Sequence, residues 1–309
     1  MKFTKTTLAA TLLTTLPISA FAAEELTFYG KANVTIQSSD DGSESVTDIK
    51  SNASRLGVKG SHAIEGGLEV VYQAEFEVQI DDGDKDGQAI SQRNIYVGLK
   101  GDFGTVFVGK HDTALKKSQG KIDLFSDLEG DIKNLWKGEN RLSNSLMYKS
   151  PKFNGFAVNL GYIASETEAV DDGISLAVSY GDEALKKSDF YAAVAVDSEV
   201  SGYDITRFSA QGKLGAVVLG AMVQTQEKLS NGEELDGVMV SAKYPVGKVT
   251  LKGQVQTAEV DGGDDRSGFT VGADYKLSKQ AKVFAFYTTF DMDSAADEDY
   301  LAVGLEYKF

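Results

Sequence analysis

The chain has 309 residues, with 46 acidic side chains against 31 basic ones and a formal net charge of −15. That balance excludes the basic surface on which nucleic-acid binding depends. The absence of cysteine excludes disulfides, and no run approaches the ~18 apolar residues of a membrane-spanning helix.

Lys2 and Lys5 precede an apolar stretch from Leu8 to Ile18, and Ala20-Phe21-Ala22 follows. This is the pattern of a secretory signal, with cleavage predicted after Ala22 and residues 23–309 as one mature domain. From there, period-two alternation predicts about sixteen strands. In the first, Lys31, Asn33, Thr35 and Gln37 oppose Ala32, Val34 and Ile36. In the second, Arg55, Gly57 and Lys59 oppose Leu56 and Val58. The third is the clearest: Leu68, Val70, Tyr72, Ala74, Phe76 and Val78 alternate with Glu69, Gln73, Glu75 and Glu77. Arg93 breaks the pattern, because it shares phase with Ile95, Val97 and Leu99; a bulge is one way to turn it to the polar face. The last strand puts Leu301, Val303, Leu305, Tyr307 and Phe309 on one face. A soluble protein gains little from such a strand, but a stave of a closed barrel gains from lipid on one side and water on the other.

The connections fall into two sets. Lys100–Gly104, Pro151–Gly155, Gly212–Gly215, Tyr244–Gly247 and Lys276–Gln280 are short. Ser38–Ser51, Asp81–Ile90, Glu259–Asp265 and Asp291–Asp299 are longer and acidic. Short turns at one rim and longer loops at the other are expected of an outer-membrane barrel. Phe103, Phe153, Phe156, Tyr244, Tyr275, Tyr307 and Phe309 lie near the short-turn rim and suggest an interfacial aromatic girdle. One connection is much longer: His111–Asn140 holds Trp136, the single tryptophan, together with Asp123, Asp127, Glu129 and Asp131. A segment of that length is expected to be functional.

Other signals carry less. Asp82–Gly87 resembles the start of a calcium loop, but Arg93 stands where a bidentate glutamate belongs and no flanking helices are predicted. His62 and His111 have no ligand-spaced partners, so no metal or other cofactor is expected. There is no nucleophile elbow or phosphate loop, and no enzymatic activity is expected.

Several segments, taken in order, resemble the general (non-specific) porin family of Gram-negative bacteria: Phe28-Tyr-Gly-Lys31, Ser54-Arg-Leu-Gly-Val-Lys-Gly60, Arg93 to Gly104, Val108-Gly-Lys110 and Arg141 to Gly155. The resemblance implies an all-β, 16-stranded antiparallel transmembrane barrel in the outer membrane, a homotrimer with the third extracellular loop folded into the lumen. It places that loop at 111–140 and implies a constriction there. Lys31, Arg55, Arg93 and Arg141, with Lys59 sharing a face with Arg55, would form the basic wall. Asp123, Asp127, Glu129 and Asp131 would form the acidic side, and Tyr307 and Phe309 the assembly signal. The Pro-Glu-Phe-Gly-Gly tip of some relatives is replaced by Asp127-Leu-Glu-Gly-Asp131. The expected activity is passive diffusion of small hydrophilic solutes and ions, with mild cation selectivity. Expected partners are outer-membrane lipids, lipopolysaccharide and the barrel-assembly machinery. A substrate-specific porin and an adhesive or structural barrel are the alternatives.

Overall fold

A computed structural model of the chain describes residues 26–81, 88–167, 171–292 and 296–309. The predicted signal segment and the calcium-like stretch Asp82–Gly87 lie outside the described residues. The strands are β1 (Thr27–Asp40), β2 (Ser45–Ser51), β3 (Arg55–Ile64), β4 (Leu68–Val78), β5 (Ile90–Gly101), β6 (Gly104–Asp112), β7 (Arg141–Lys149), β8 (Phe156–Ile163), β9 (Gly173–Gly181), β10 (Phe190–Val200), β11 (Tyr203–Leu214), β12 (Val217–Lys228), β13 (Glu233–Val246), β14 (Val249–Val260), β15 (Arg266–Lys276), β16 (Ala281–Asp291) and β17 (Glu298–Lys308).

All pair antiparallel with their neighbours, and β1 pairs with β17 from Lys31↔Lys308 to Asp40↔Asp299, which closes the sheet. Closure leaves no unpaired edge, as a lipid-embedded sheet requires. At the seam, Gly30 and Phe309 exchange two backbone hydrogen bonds of 2.9 and 3.1 Å. The Phe309 ring lies on Gly30, where a Cβ would stand 2.3 Å from it.

The segments β2 and β3 are one stave. Both pair with β1, above and below a break at Asn52–Ser54 where Ala53 adopts φ +51°. The barrel therefore has sixteen staves. Polar side chains repair the break: Ser54 Oγ accepts from Asn33 N at 2.9 Å, and Asn33 Nδ2 donates to Asn52 O at 3.2 Å. The expected loop Ser38–Ser51 is a correction. Ladder pairing runs up to Asp40↔Ser45, so polar composition there marks a hairpin standing above the apolar band rather than a loop. Gly247 and Lys248 alone turn β13 into β14, and Pro245 sits inside the strand end.

Outward positions are apolar and exposed, for example Leu219, Val223, Val238, Val255, Phe269, Val303 and Leu305. They form the lipid face, and the aromatics Phe103, Phe153, Phe156, Tyr244, Tyr275, Tyr307 and Phe309 stay exposed at the short-turn rim. The core lies inside the barrel, because the segment between β6 and β7 folds into the lumen. It carries a short α-helix, α1 (Ala114–Ser118), capped by Thr113, and a single 3-10 turn at Ile132–Asn134 capped by Asp131.

Candidate functional site: the lumen beside the third loop

The third loop is seated by apolar contacts with the inner wall. Leu115 packs with Ala177, Ala195 and Ile205. Ile122, Ile132 and Trp136 pack with Met222, Met239 and Phe290, and Phe125 packs with Phe284 and Phe286. These loop side chains are at most 1% exposed. Trp136 fits because Gly237 has no side chain: a Cβ there would stand 2.3 Å from the indole. Its Nε1 donates to Thr257 O at 2.8 Å. Polar wall groups hold the loop backbone between these anchors, as Ser241 Oγ donates to Ile122 O at 2.7 Å and Gln254 Nε2 to Gly130 O at 2.9 Å.

The loop thus hugs one side and leaves an open cavity of about 730 Å³ against the opposite wall. Two loop carboxylates meet that wall. Asp127 Oδ2 takes Lys31 Nζ and Arg55 Nη2, each at 2.8 Å. Glu129 Oε1 takes Lys50 Nζ at 2.8 Å and Gln37 Nε2 at 2.9 Å. Burial pushes the Asp127 carboxyl up, but Lys31 and Arg55 outweigh it and hold it well below the usual carboxylate range.

The expected bulge lies at Arg93. The β4–β5 register shifts between Ala74↔Ile95 and Phe76↔Gln92, so one extra residue in β5 turns Arg93 inward. There it is clamped by Glu75 and Glu77, both at 2.8 Å. Arg141 pairs with Asp112 at 3.0 Å and donates from Nε to Asn94 at 2.9 Å.

Three expected site residues are placed differently. Lys59 does not join the basic group; it lies lower on β3, with Nζ 5.2 Å from the Tyr29 ring centroid. Asp123 faces the loop's own backbone rather than the basic wall, accepting from Phe125 N at 2.9 Å and Ile132 N at 3.1 Å. Burial, reinforced by Asp131, pushes its carboxyl well above the usual range. Asp131 lines the cavity, but its carboxylate braces the turn, accepting from Asp127 N at 2.8 Å and Lys133 N at 2.9 Å. Short-range chain geometry explains both: an aspartate two residues before a free N–H closes a turn in preference to reaching across a lumen.

The site also contains residues that sequence reasoning missed. Lys50, Asp112 and the ion pair Arg207–Glu139 at 2.7 Å were not singled out. Arg207 is fully buried; a lone arginine between Ile205 and Ser209 on the inward face of β11 was the available signal. Glu75 and Glu77 were legible as polar-face residues, but not as partners of Arg93.

A closed antiparallel barrel with apolar outer bands and a charged opening beside an inserted loop defines an outer-membrane channel protein. Residues 9–308 match the family model for Gram-negative porins, and the chain belongs to that family. The major outer membrane protein P.IB of Neisseria meningitidis serogroup A is 26% identical over 348 residues, covering 99% of this chain and all of that one. Outer membrane porin protein 32 of Delftia acidovorans is 26% identical, covering 86% of this chain and 84% of its own. Among solved structures, an anion-selective porin from Comamonas acidovorans superposes with a TM-score of 0.81 at 20% identity, over 93% of this chain and all of that one. OmpT of Vibrio cholerae, in a trimer form, superposes with a TM-score of 0.71 at 18% identity, again over 93% of this chain and all of that one. The protein is an outer-membrane porin of a Gram-negative bacterium, and members of this class form channels rather than catalyse reactions.

Proposed function

We propose that the chain, after removal of residues 1–22, forms a homotrimer of passive diffusion channels for small hydrophilic solutes and ions, with 111–140 as the constriction loop. The observation that carries this reading is the pair of loop carboxylates, Asp127 and Glu129, set against Lys31, Arg55 and Lys50 of the wall. Opposed charges across a narrow aqueous opening orient water, so hydrated solutes pass and apolar ones are slowed. Arg93 and Arg141 extend the basic side, each held by carboxylates of its own wall.

The mild cation preference expected of the loop carboxylates has little to carry it at this level. Asp127, Glu129, Glu75, Glu77 and Asp112 all have basic partners. Any such preference belongs to the acidic mouth above the opening. OmpT's trimer form supports the homotrimer. Lipopolysaccharide and the barrel-assembly machinery remain the partners the exposed apolar bands and the terminal Phe309 call for.

Swelling of proteoliposomes in neutral sugars of graded size tests the reading. Permeation that falls steeply with solute size supports a water-filled neck. Folded protein that leaves the vesicles as tight as bare lipid overturns it.

A further inference from the structure

On the short-turn side, residues 182–189 join β9 to β10, where residues 102–103, 215–216 and 247–248 suffice for other turns of that rim. The extra length folds into the lumen. Leu185 is 4% exposed and packs with Tyr191 and Ala193 of β10 and Val218 of β12, on the inner wall. Its backbone is left-handed at φ +52°, a conformation that is costly for leucine and persists only where the surroundings enforce it. The Asp182 carboxylate helps to enforce it, accepting from Ala184 N at 3.1 Å and from Lys186 N and Lys187 N at 2.9 Å each. Both feet of the turn are tied to neighbouring chain: Lys152 Nζ donates to Gly181 O at 2.6 Å, and Lys213 Nζ holds Asp189 at 2.8 Å.

This turn meets the third loop. Gln211 Nε2 donates to Glu183 O at 2.6 Å, and Tyr191 Oη donates to Ser118 O at 3.0 Å. Tyr191 and Gln211 stand opposite each other on β10 and β11, so one pair of wall side chains holds the turn and the loop together. Contact is direct at Gly120, where a Cβ would stand 3.4 Å from the Glu183 Cβ and 3.1 Å from the Tyr191 ring. The next residue, Lys121, lines the open cavity at the neck. The loop anchors described above come from the side walls. This one comes from the short-turn side, and so resists movement toward that rim. Farther round the rim the lumen stays open, with a cavity of about 280 Å³ lined by Thr250, Asp274, Lys282 and Glu306 among others.

Resting on the diffusion-channel reading above, we propose that the β9–β10 turn is a strut beneath the third loop, with Leu185 and Glu183 as positioning residues that hold the loop at its height in the barrel. A force along the channel axis then meets unequal resistance in its two directions. Membrane voltage applies such a force to a charged loop. Closure under voltage therefore depends on the strut at one polarity only, the one that drives the loop toward the short-turn rim.

The chain has no cysteine, and the spacing of Gly120 and Glu183 suits a disulfide. The double variant Gly120→Cys/Glu183→Cys therefore tests the strut directly in single-channel recordings. Oxidised, it should cross-link and lengthen the mean open time at one polarity about tenfold, and reductant should reverse the change. Leu185→Gly works in the other direction, because it removes the packed side chain while relieving the left-handed backbone. It should shorten open time at that same polarity about tenfold, and Leu185→Met should restore it. Failure of the cross-link to form in conducting channels would overturn the proposal. So would open times that shift equally at both polarities, or not at all, in either variant. Folded wild-type protein that passes no current would instead remove the diffusion-channel reading.

Discussion

The inner wall from β9 to β16 turns alanines, methionines and phenylalanines toward the third loop, whereas β1 to β7 turn lysines, arginines and glutamates toward the opening. On the first side, burial fixes the loop. On the second, charge and hydrogen bonding shape what remains of the lumen. The contrast shows how one barrel supplies both a rigid support and a polar passage: an inserted loop needs an apolar seat only where it touches, and every other inward position is free to carry charge.

The largest expected effect concerns the seam that closes both halves. Deleting Phe309 removes its two backbone bonds to Gly30 and the ring packed on that glycine. Trimer yield after membrane insertion should fall sharply; unchanged yield would show that the closing contact is dispensable. Next comes the apolar seat. Trp136→Ala should cost ~3–5 kcal/mol of loop anchoring and give larger, noisier single-channel currents while the barrel stays folded by circular dichroism. If conductance were unchanged, the seat would not be what positions the loop.

On the charged side, Asp127→Ala leaves Lys31 and Arg55 without their shared partner, a loss of about 1–3 kcal/mol. The reversal potential in a salt gradient should move toward anions. Arg55→Ala and Arg141→Ala should move it the opposite way, toward cations, by a smaller amount because Lys31 still pairs with Asp127 and Lys116 with Asp112. A residue whose replacement produced no shift would not belong to the opening.

The smallest effect is that of acid. The folded-state pKa of Asp127 is depressed, so the stability its ion pairs contribute is full above the unfolded value of about 3.9 and is lost only as pH falls through the lower folded value. Conductance should therefore stay flat from neutral pH down to about 4. A transition near pH 5 or 6 would mean that other groups hold the neck.

Alternation made the staves legible, because a strand between lipid and water must repeat every second residue. The loop's seat was legible only as a failure of that rule. Ala221-Met-Val223, Val238-Met-Val240 and Val283-Phe-Ala-Phe286 are apolar on both faces, and in the structure their inward members Met222, Met239, Phe284 and Phe286 carry the loop. Arg93 was a visible misfit, and the bulge that resolves it is a property of pairing register, which one strand's sequence does not contain. Asp123 and Asp131 shared composition with Asp127 and Glu129. What separates them is whether a free backbone N–H lies two residues away or a cation lies across the lumen, and only the folded loop decides that.

The most direct measurement is single-channel conductance of the refolded mature protein in a planar lipid bilayer. The account predicts long-lived openings that close in three equal steps, one per subunit lumen. Correctly folded barrels that pass no current would contradict it and leave the third loop as a plug.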